Sequence, residues 1–160
     1  DRLTDRIKIR NLRPESIDHP FADHHHPARP VEIELADLGG LELAVVGLGP
    51  NGHVAFNEPG SPPDSRTRVL DLTPESREQS SAYWESDTPV PAQAITMGLG
   101  TILSAKRIVM IVSGASKAEM LRRSLEEEPM LDVPASWLQR VGERLDVIAD
   151  RDAASALTEG

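Results

Sequence analysis

His53 and Glu58 are the residues best suited to acid and base chemistry, because they stand close together in the stretch VVGLGPNGHVAFNEPG, Val45 to Gly60. An imidazole titrates near neutral pH, and a nearby carboxylate can orient it or stabilise its charged form. Gly49 and Gly52 precede the histidine, and glycine lets a backbone turn sharply and approach a ligand closely. A glycine-rich loop with one histidine is equally compatible with a structural turn, and GLGPNG does not complete the dinucleotide-binding fingerprint.

The segment that must position this loop is the apolar run LELAVVGLG, Leu41 to Gly49, which predicts a strand buried on both faces. Three further runs predict strands, namely Ala94 to Gly100, Arg107 to Gly114 and Leu145 to Asp150. Helical patterns accompany them at TILSAKR, SKAEMLRRSLEEE, PASWLQR and DAASAL. Strands that alternate with helices predict an α/β fold, a Rossmann-like parallel sheet with helices on both faces. In such sheets ligands bind beyond the carboxyl ends of the strands, where GLGPNGH lies.

The remaining segments are a long connection and a polar opening. The connection, Asn57 to Pro91, is rich in proline and serine, and we expect a helix within it near Pro74 to Tyr83. The opening, Asp1 to Pro30, shows no sustained period and predicts mostly irregular structure. Because no internal repeat or low-complexity linker divides the chain, its 160 residues are expected to form a single α/β domain.

The composition argues against several classes of function. A formal net charge of -9 argues against a nucleic-acid partner, because neutralising phosphates needs a basic face. The chain has no cysteine, which excludes disulfides and thiolate zinc sites and fits a reducing compartment. No apolar run reaches membrane-spanning length, so we expect a cytoplasmic protein without a membrane partner.

The loop GLGPNGHVAFNEPG resembles the signature loop of the glucosamine-6-phosphate deaminase family. The resemblance continues, in the family's order, through SRTRVLDLT (Ser65 to Thr73), AITMGLGTILSAKRIVMIVSGASKAEML (Ala94 to Leu121) and PASWLQ (Pro134 to Gln139). Related sugar-phosphate lactonases share the fold and a similar histidine loop, but AFNEPG favours the amino-sugar branch. Most of the chain from Leu41 onward is covered by the resemblance.

The resemblance implies an enzyme that converts an amino-hexose 6-phosphate into a ketohexose 6-phosphate and ammonia, without a metal or organic cofactor. It makes His53 the acid or base that opens the sugar ring and Glu58 its charged partner, and it places Gly49 and Gly52 against the substrate. It also assigns Lys117, in SGASKAEM, to the sugar phosphate. A helix start after a strand suits a phosphate dianion, whereas a lone lysine without this context is ordinarily a surface charge.

Two positions depart from the family pattern. The family often has aspartate where this chain has Asn51, and an amide can orient the imidazole of His53 but cannot neutralise its positive charge. Asparagine occurs in related isomerases, including galactosamine-6-phosphate types, so we expect Asn51 to mark a branch or an altered substrate. An arginine that the family uses on the phosphate falls at Ala82, and Arg77 is a candidate replacement.

A third departure concerns the family's phosphate loop and the aspartate that removes the C2 proton, neither of which matches any of these residues. We therefore expect the chain to be the C-terminal portion of a longer enzyme and to lack activity alone. Two alternatives stay open: a 6-phosphogluconolactonase-like hydrolase and a non-catalytic sugar-phosphate-binding regulator. Family members range from monomers to hexamers, which leaves a homo-oligomer open.

The histidine cluster DHPFADHHHP is the only other group that suggests a site. His19 and His24 to His26 could bind zinc or nickel weakly, although neighbouring imidazoles on one backbone cannot all face one ion. A chance loop composition is the better explanation, and we predict no metal site.

Overall fold

The computed structural model describes residues 29–81 and 89–158, which contain eleven regular elements. Four α-helices and five strands follow one another as α1 (Arg29–Asp37), β1 (Leu43–Gly47), β2 (Arg68–Asp71), α2 (Pro74–Ser81), β3 (Gln93–Thr96), α3 (Leu99–Leu103), β4 (Arg107–Val112), α4 (Ala118–Glu126) and β5 (Leu145–Ala149). Two 3-10 helices, Ala115–Lys117 and Pro134–Arg144, flank α4.

A parallel sheet of three strands, in the order β1-β4-β5, forms the centre of the described chain. The register pairs Val45 with Val109 across β1 and β4, and Met110 with Val147 across β4 and β5. The connections between these strands contain helices, as parallel pairing requires. The predicted α/β class with a parallel sheet is therefore confirmed.

The two faces of this sheet differ in burial. Alternate strand residues point to one face, where Ala44, Ile108 and Met110 join a core with side chains of α3, α4 and the second 3-10 helix. On the other face, the exposed fractions are 60% for Val45 and 57% for Ile148. The prediction that β1 is buried on both faces is wrong for the described residues, because the helices that supply the core pack on one side.

A second sheet contains β2 and β3, which pair antiparallel with Val69 opposite Ile95. The run Ala94 to Gly100 was predicted to form a strand throughout, but it leaves the sheet after Thr96 and enters α3. The turn forms because the N–H of Gly100 donates to the carbonyl of Ser65 at 2.9 Å. A Cβ at Gly98 would lie 2.2 Å from the same carbonyl oxygen, so only glycine fits this crossing.

The remaining predicted helices are partly confirmed. The helix expected near Pro74 to Tyr83 is α2, and Tyr83 lies outside the described residues. The DAASAL segment is a series of turns instead of a helix. The N–H of Ser155 donates to the carbonyl of Asp152 at 3.3 Å and that of Leu157 to Ala154 at 3.0 Å, and these bonds span three residues and not the four of an α-helix. None of the helices in the described ranges has the length and hydropathy to cross a membrane.

Helix α1 was not predicted, and Glu32 attaches it to the rest of the chain. Its Oε1 accepts the backbone N–H of Thr67 at 2.9 Å, the hydroxyl of Thr67 at 2.5 Å and the hydroxyl of Thr101 at 2.6 Å. Burial opposes ionisation of Glu32, but these hydrogen bonds and the nearby Arg66 charge together lower its pKa. The opening as far as residue 28 lies outside the described residues.

Replacing Glu32 with glutamine should destabilise the protein by roughly 1 kcal/mol at neutral pH. The amide oxygen of glutamine can still accept from Thr67 and Thr101, but more weakly than a carboxylate, and the attraction to Arg66 at 3.7 Å is lost. Since the pKa of Glu32 is lowered on folding, the stabilisation is present above the ordinary value of 4.5 and is lost as the pH falls through the folded value. Urea denaturation across this range measures the difference. The control is Glu34→Gln at an exposed position of the same helix, and equal midpoints for both variants would contradict the assignment.

Candidate functional site

The loop after β1 is folded so that the imidazole of His53 lies directly over Gly49. The N–H of Gly49 donates to the carbonyl of His53 at 2.9 Å, which closes a tight turn. A Cβ at Gly49 would lie 2.4 Å from three atoms of the imidazole ring. Gly52 has a φ of 85° in the left-handed region, and a Cβ there would approach Val133 and Met120 at 2.9 and 3.0 Å. Both glycines therefore shape the loop around the histidine.

Asn51, His53 and Glu58 form a continuous hydrogen-bonded group. The Asn51 Nδ2 donates to Glu58 Oε2 at 2.9 Å, so the Asn51 Oδ1 points the other way, towards His53. That oxygen accepts the backbone N–H of His53 at 3.2 Å and lies 2.8 Å from its Nδ1. Because an amide oxygen only accepts, Nδ1 must carry the proton. The neutral imidazole is left with an unprotonated Nε2, which can act as a base.

Glu58 is buried, with 8% of the residue exposed, and both of its carboxylate oxygens accept hydrogen bonds. Oε2 takes the amide of Asn51, and Oε1 accepts the hydroxyl of Ser76 and, at 3.4 Å, that of Thr73. Thr73 also accepts the backbone N–H of Ser76 at 3.2 Å, which caps the start of α2. The carboxylate lies 3.7 Å from His53 Nδ1, close enough for charge attraction without a direct hydrogen bond.

The backbone after His53 is held by Asn57, which is fully buried. Its Nδ2 donates to the carbonyls of Val54 and Met97, each at 2.9 Å, and its Oδ1 accepts from Arg68 at 2.8 Å. Within this turn Ala55 has a φ of 53°, which a residue other than glycine seldom adopts. These hydrogen bonds fix the loop after β1 against the second sheet.

Lys117 ends the 3-10 turn after β4 and stands directly before α4. Its side chain is half-buried, and burial lowers the pKa of its ammonium group. Burial also lowers the pKa of His53, and the positive charge of Lys117 lowers it further, while the negative charge of Glu58 raises it. The net effect is a lowered pKa, so His53 is neutral at physiological pH.

The structure brings together most of the residues that the sequence singled out. Asn51, His53 and Glu58 are in contact, with Gly49 and Gly52 beneath them, and Lys117 acts on His53 through its charge. Within residues 29–81 and 89–158, no group of three or more histidine, cysteine, aspartate or glutamate side chains is placed to hold a metal ion.

Arg77 is exposed and donates to the carbonyl of Val90 at 3.4 Å, while Ala82 and the histidine cluster DHPFADHHHP lie outside the described residues. Sequence reasoning missed Ser76 and Thr73 as partners of Glu58. The letters TPES do carry a signal, since threonine followed by proline is typical of a helix start.

A sequence model of the family described as "Glucosamine-6-phosphate isomerases/6-phosphogluconolactonase" matches residues 2–147. A glucosamine-6-phosphate deaminase from Rhodopirellula baltica is 45% identical over 126 residues, which cover 79% of this chain and 50% of the relative. One from Shouchella clausii is 42% identical over 131 residues, covering 82% and 53%. The chain thus spans about half the length of the curated relatives it matches.

Solved structures show the same likeness. A monomeric glucosamine-6-phosphate deaminase superposes with a TM-score of 0.76 at 42% identity, covering 81% of this chain and 54% of that one. A 6-phosphogluconolactonase from Trypanosoma cruzi superposes with a TM-score of 0.63 at 21% identity, covering 83% and 52%. The second likeness is one of fold alone.

Exchanging Asn51 for aspartate should raise the pKa of His53. A carboxylate at this position would accept from Nδ1 and stabilise the imidazolium, whereas the amide of Asn51 does not. In the unmodified chain the pKa of His53 is lowered, so its proton is taken up only at a pH below 6.5. An NMR titration of the imidazole measures both values, with the signal identified by its loss in His53→Gln. A pKa in Asn51→Asp no higher than in the unmodified chain would contradict the geometry.

Exchanging Gly49 for alanine should displace the imidazole of His53 without unfolding the protein, because the new Cβ meets a side chain and not backbone. The hydrogen bond to Asn51 Oδ1 would be lost, and the pKa of His53 would rise towards its ordinary value as the ring leaves the interior. The matched control is Gly47→Ala, whose Cβ would meet only the carbonyl of Ile111 at 3.9 Å. Imidazole NMR shifts and circular dichroism distinguish displacement from unfolding, and unchanged shifts in Gly49→Ala would refute it.

Proposed function

Because the chain belongs to the family of glucosamine-6-phosphate isomerases and 6-phosphogluconolactonases, we propose that its protein is an amino-sugar-phosphate deaminase. The reaction converts glucosamine 6-phosphate or galactosamine 6-phosphate into a ketohexose 6-phosphate and ammonia. Its place is the cytoplasm, in keeping with a chain that has no cysteine. The residues of this chain serve ring opening and phosphate binding.

The observation that carries the proposal is the geometry of His53. Its Nδ1 is committed to Asn51 Oδ1 at 2.8 Å, so Nε2 is the nitrogen available to substrate. Opening the sugar ring breaks the C1–O5 bond, removes a proton from the hydroxyl on C1 and delivers one to O5. A neutral imidazole can accept the first proton and return one to O5, which leaves it neutral again. Glu58 stabilises the intervening imidazolium through its charge.

Lys117 is the group proposed to bind the phosphate. A lysine at the start of a nine-residue helix combines its own charge with the positive end of the helix dipole. Its effect on the pKa of His53 supports a location near the imidazole. A phosphate bound at Lys117 would hold the far end of the sugar and leave the reacting end towards His53.

The relatives favour the amino-sugar branch. Proteins named glucosamine-6-phosphate deaminase match at 42% to 45% identity, whereas the lactonase structure matches at 21% and supports the fold only. The stretch AFNEPG after His53 agrees with this choice. Abstraction of the C2 proton is assigned to no residue of this chain.

The proposal predicts that the protein releases ammonia from glucosamine 6-phosphate or galactosamine 6-phosphate. His53→Gln should lower kcat roughly 10²–10⁴-fold, because the proton transfer loses its acid and base. Lys117→Gln should raise KM more than it lowers kcat, because it removes a charge from the bound phosphate. The assay is run on this chain and on the product of its complete reading frame, with an ammonia-coupled readout.

Lys106→Gln is the matched control, because Lys106 is an exposed lysine that pairs with Glu42 at the opposite end of β4. It should leave both kinetic constants unchanged. Hydrolysis of 6-phosphogluconolactone without ammonia release would replace the proposal by a lactonase. Saturable binding of the sugar phosphates with no turnover by the complete protein would replace it by a regulator.

A further inference from the structure

Ser76 lies in the first turn of α2 and is 2% exposed, and its hydroxyl faces Glu58 in the loop after β1. Its Oγ donates to Glu58 Oε1, across 18 positions of sequence. Its backbone N–H is satisfied separately by Thr73 Oγ1 at 3.2 Å. The hydroxyl of Ser76 therefore has no role in capping the helix, and its partner among residues 29–81 and 89–158 is the carboxylate beside His53.

We infer that Ser76 is a positioning residue for His53, acting through Glu58 and Asn51. The inference rests on the proposed function, in which Nε2 of His53 is the reacting atom. The hydroxyl of Ser76 donates to Glu58 and not to the imidazole. Its effect is to select which imidazole nitrogen carries the proton.

The direction of each hydrogen bond in this series follows from the bond before it. A carboxylate has only acceptors, so the hydroxyl of Ser76 must donate to Oε1. With Oε1 held by the hydroxyl, Oε2 is turned towards Asn51 and takes its Nδ2 at 2.9 Å. The amide then presents Oδ1 to His53 at 2.8 Å, and Nδ1 must be the protonated nitrogen. The four groups thus form one series with a single possible polarity.

Removing the hydroxyl of Ser76 leaves the carboxylate of Glu58 free to rotate. Thr73 is a weaker substitute, because its hydroxyl stands 3.4 Å from Oε1 and already accepts from the backbone of Ser76. A rotated carboxylate holds the Asn51 amide less firmly and leaves its orientation to the backbone N–H of His53, which donates to Oδ1 at the longer distance of 3.2 Å. The imidazole then divides between its two tautomers, and the fraction with a free Nε2 falls.

The test measures the tautomer of His53 directly, by nitrogen-15 NMR of the imidazole at about pH 8, well above the ordinary histidine value. The unmodified chain should show one species, with the proton on Nδ1. Ser76→Ala should show a mixture with the Nε2–H form. Ser76→Cys, which keeps the volume with a weaker donor, should lie between them and gives the answer if the alanine variant does not fold.

Ser81→Ala is the matched control, because it removes a hydroxyl from the same helix at an exposed position, where Oγ donates to the carbonyl of Glu78 at 2.5 Å. It should retain the single Nδ1–H species. Ser76→Thr restores a hydroxyl and should restore that species as well. A merely structural role would lower the melting temperature of Ser76→Ala but leave one tautomer, and that result would overturn the inference.

Turnover provides the second readout. In the complete protein Ser76→Ala should lower kcat roughly 10- to 100-fold with KM nearly unchanged, because phosphate binding does not involve the series. A value of kcat within twofold of the unmodified protein would also overturn the inference. If the unmodified protein releases no ammonia, the proposed function fails, while the tautomer measurement still decides the role of Ser76.

Discussion

The burial of the Glu58 carboxylate is the constraint on which the site depends. A charged carboxylate away from water is costly unless its oxygens accept hydrogen bonds. Here the donors come from two separate segments, Asn51 in the same loop and Ser76 with Thr73 at the start of α2. The loop after β1 and the connection after β2 must therefore fold against each other for either to be stable. The position of the imidazole follows from the packing of these two segments.

The charges around His53 explain why a histidine so close to a carboxylate is neutral. Burial and the ammonium of Lys117 lower its pKa, and together they outweigh Glu58, which lies 3.7 Å away. A phosphate bound at Lys117 would offset the ammonium charge and so remove one of the two effects that keep the imidazole neutral. Under the proposed function, substrate binding would therefore make His53 a stronger base at the moment when the ring must open.

The sequence predicts the part of the site that is local in the chain. Gly49, His53 and Glu58 were recognisable because they belong to one loop, and the strand before the loop was visible as an apolar run. Ser76 was not recognisable as a partner of Glu58, because the contact spans 18 positions and depends on how the connection folds. The letters TPES predict a helix start, but they do not predict that Ser76 contacts Glu58.

The fold shows the same division between local and distant information. The apolar run of β4 predicts a strand correctly, whereas the run from Ala94 contains both a strand and a helix start. Apolar character alone does not state whether a strand pairs parallel or antiparallel, and β3 pairs with β2 away from the main sheet. Apolar character also does not predict which face of the sheet is covered, because Val45 and Ile148 are as apolar as the core residues and yet are exposed.

Asn51 is best understood together with Glu58 and not as a weakened aspartate. An aspartate there would place a second carboxylate about 3 Å from Glu58 Oε2 and would remove the N–H that this oxygen accepts. Two negative charges this close together in a buried site repel each other and are unfavourable. The amide avoids that repulsion, donates to one neighbour and accepts from the other. It thus separates two requirements that a single aspartate would combine. Asn51 fixes the tautomer of the imidazole, and Glu58, one group further away, supplies the negative charge that is needed only when the imidazole is protonated.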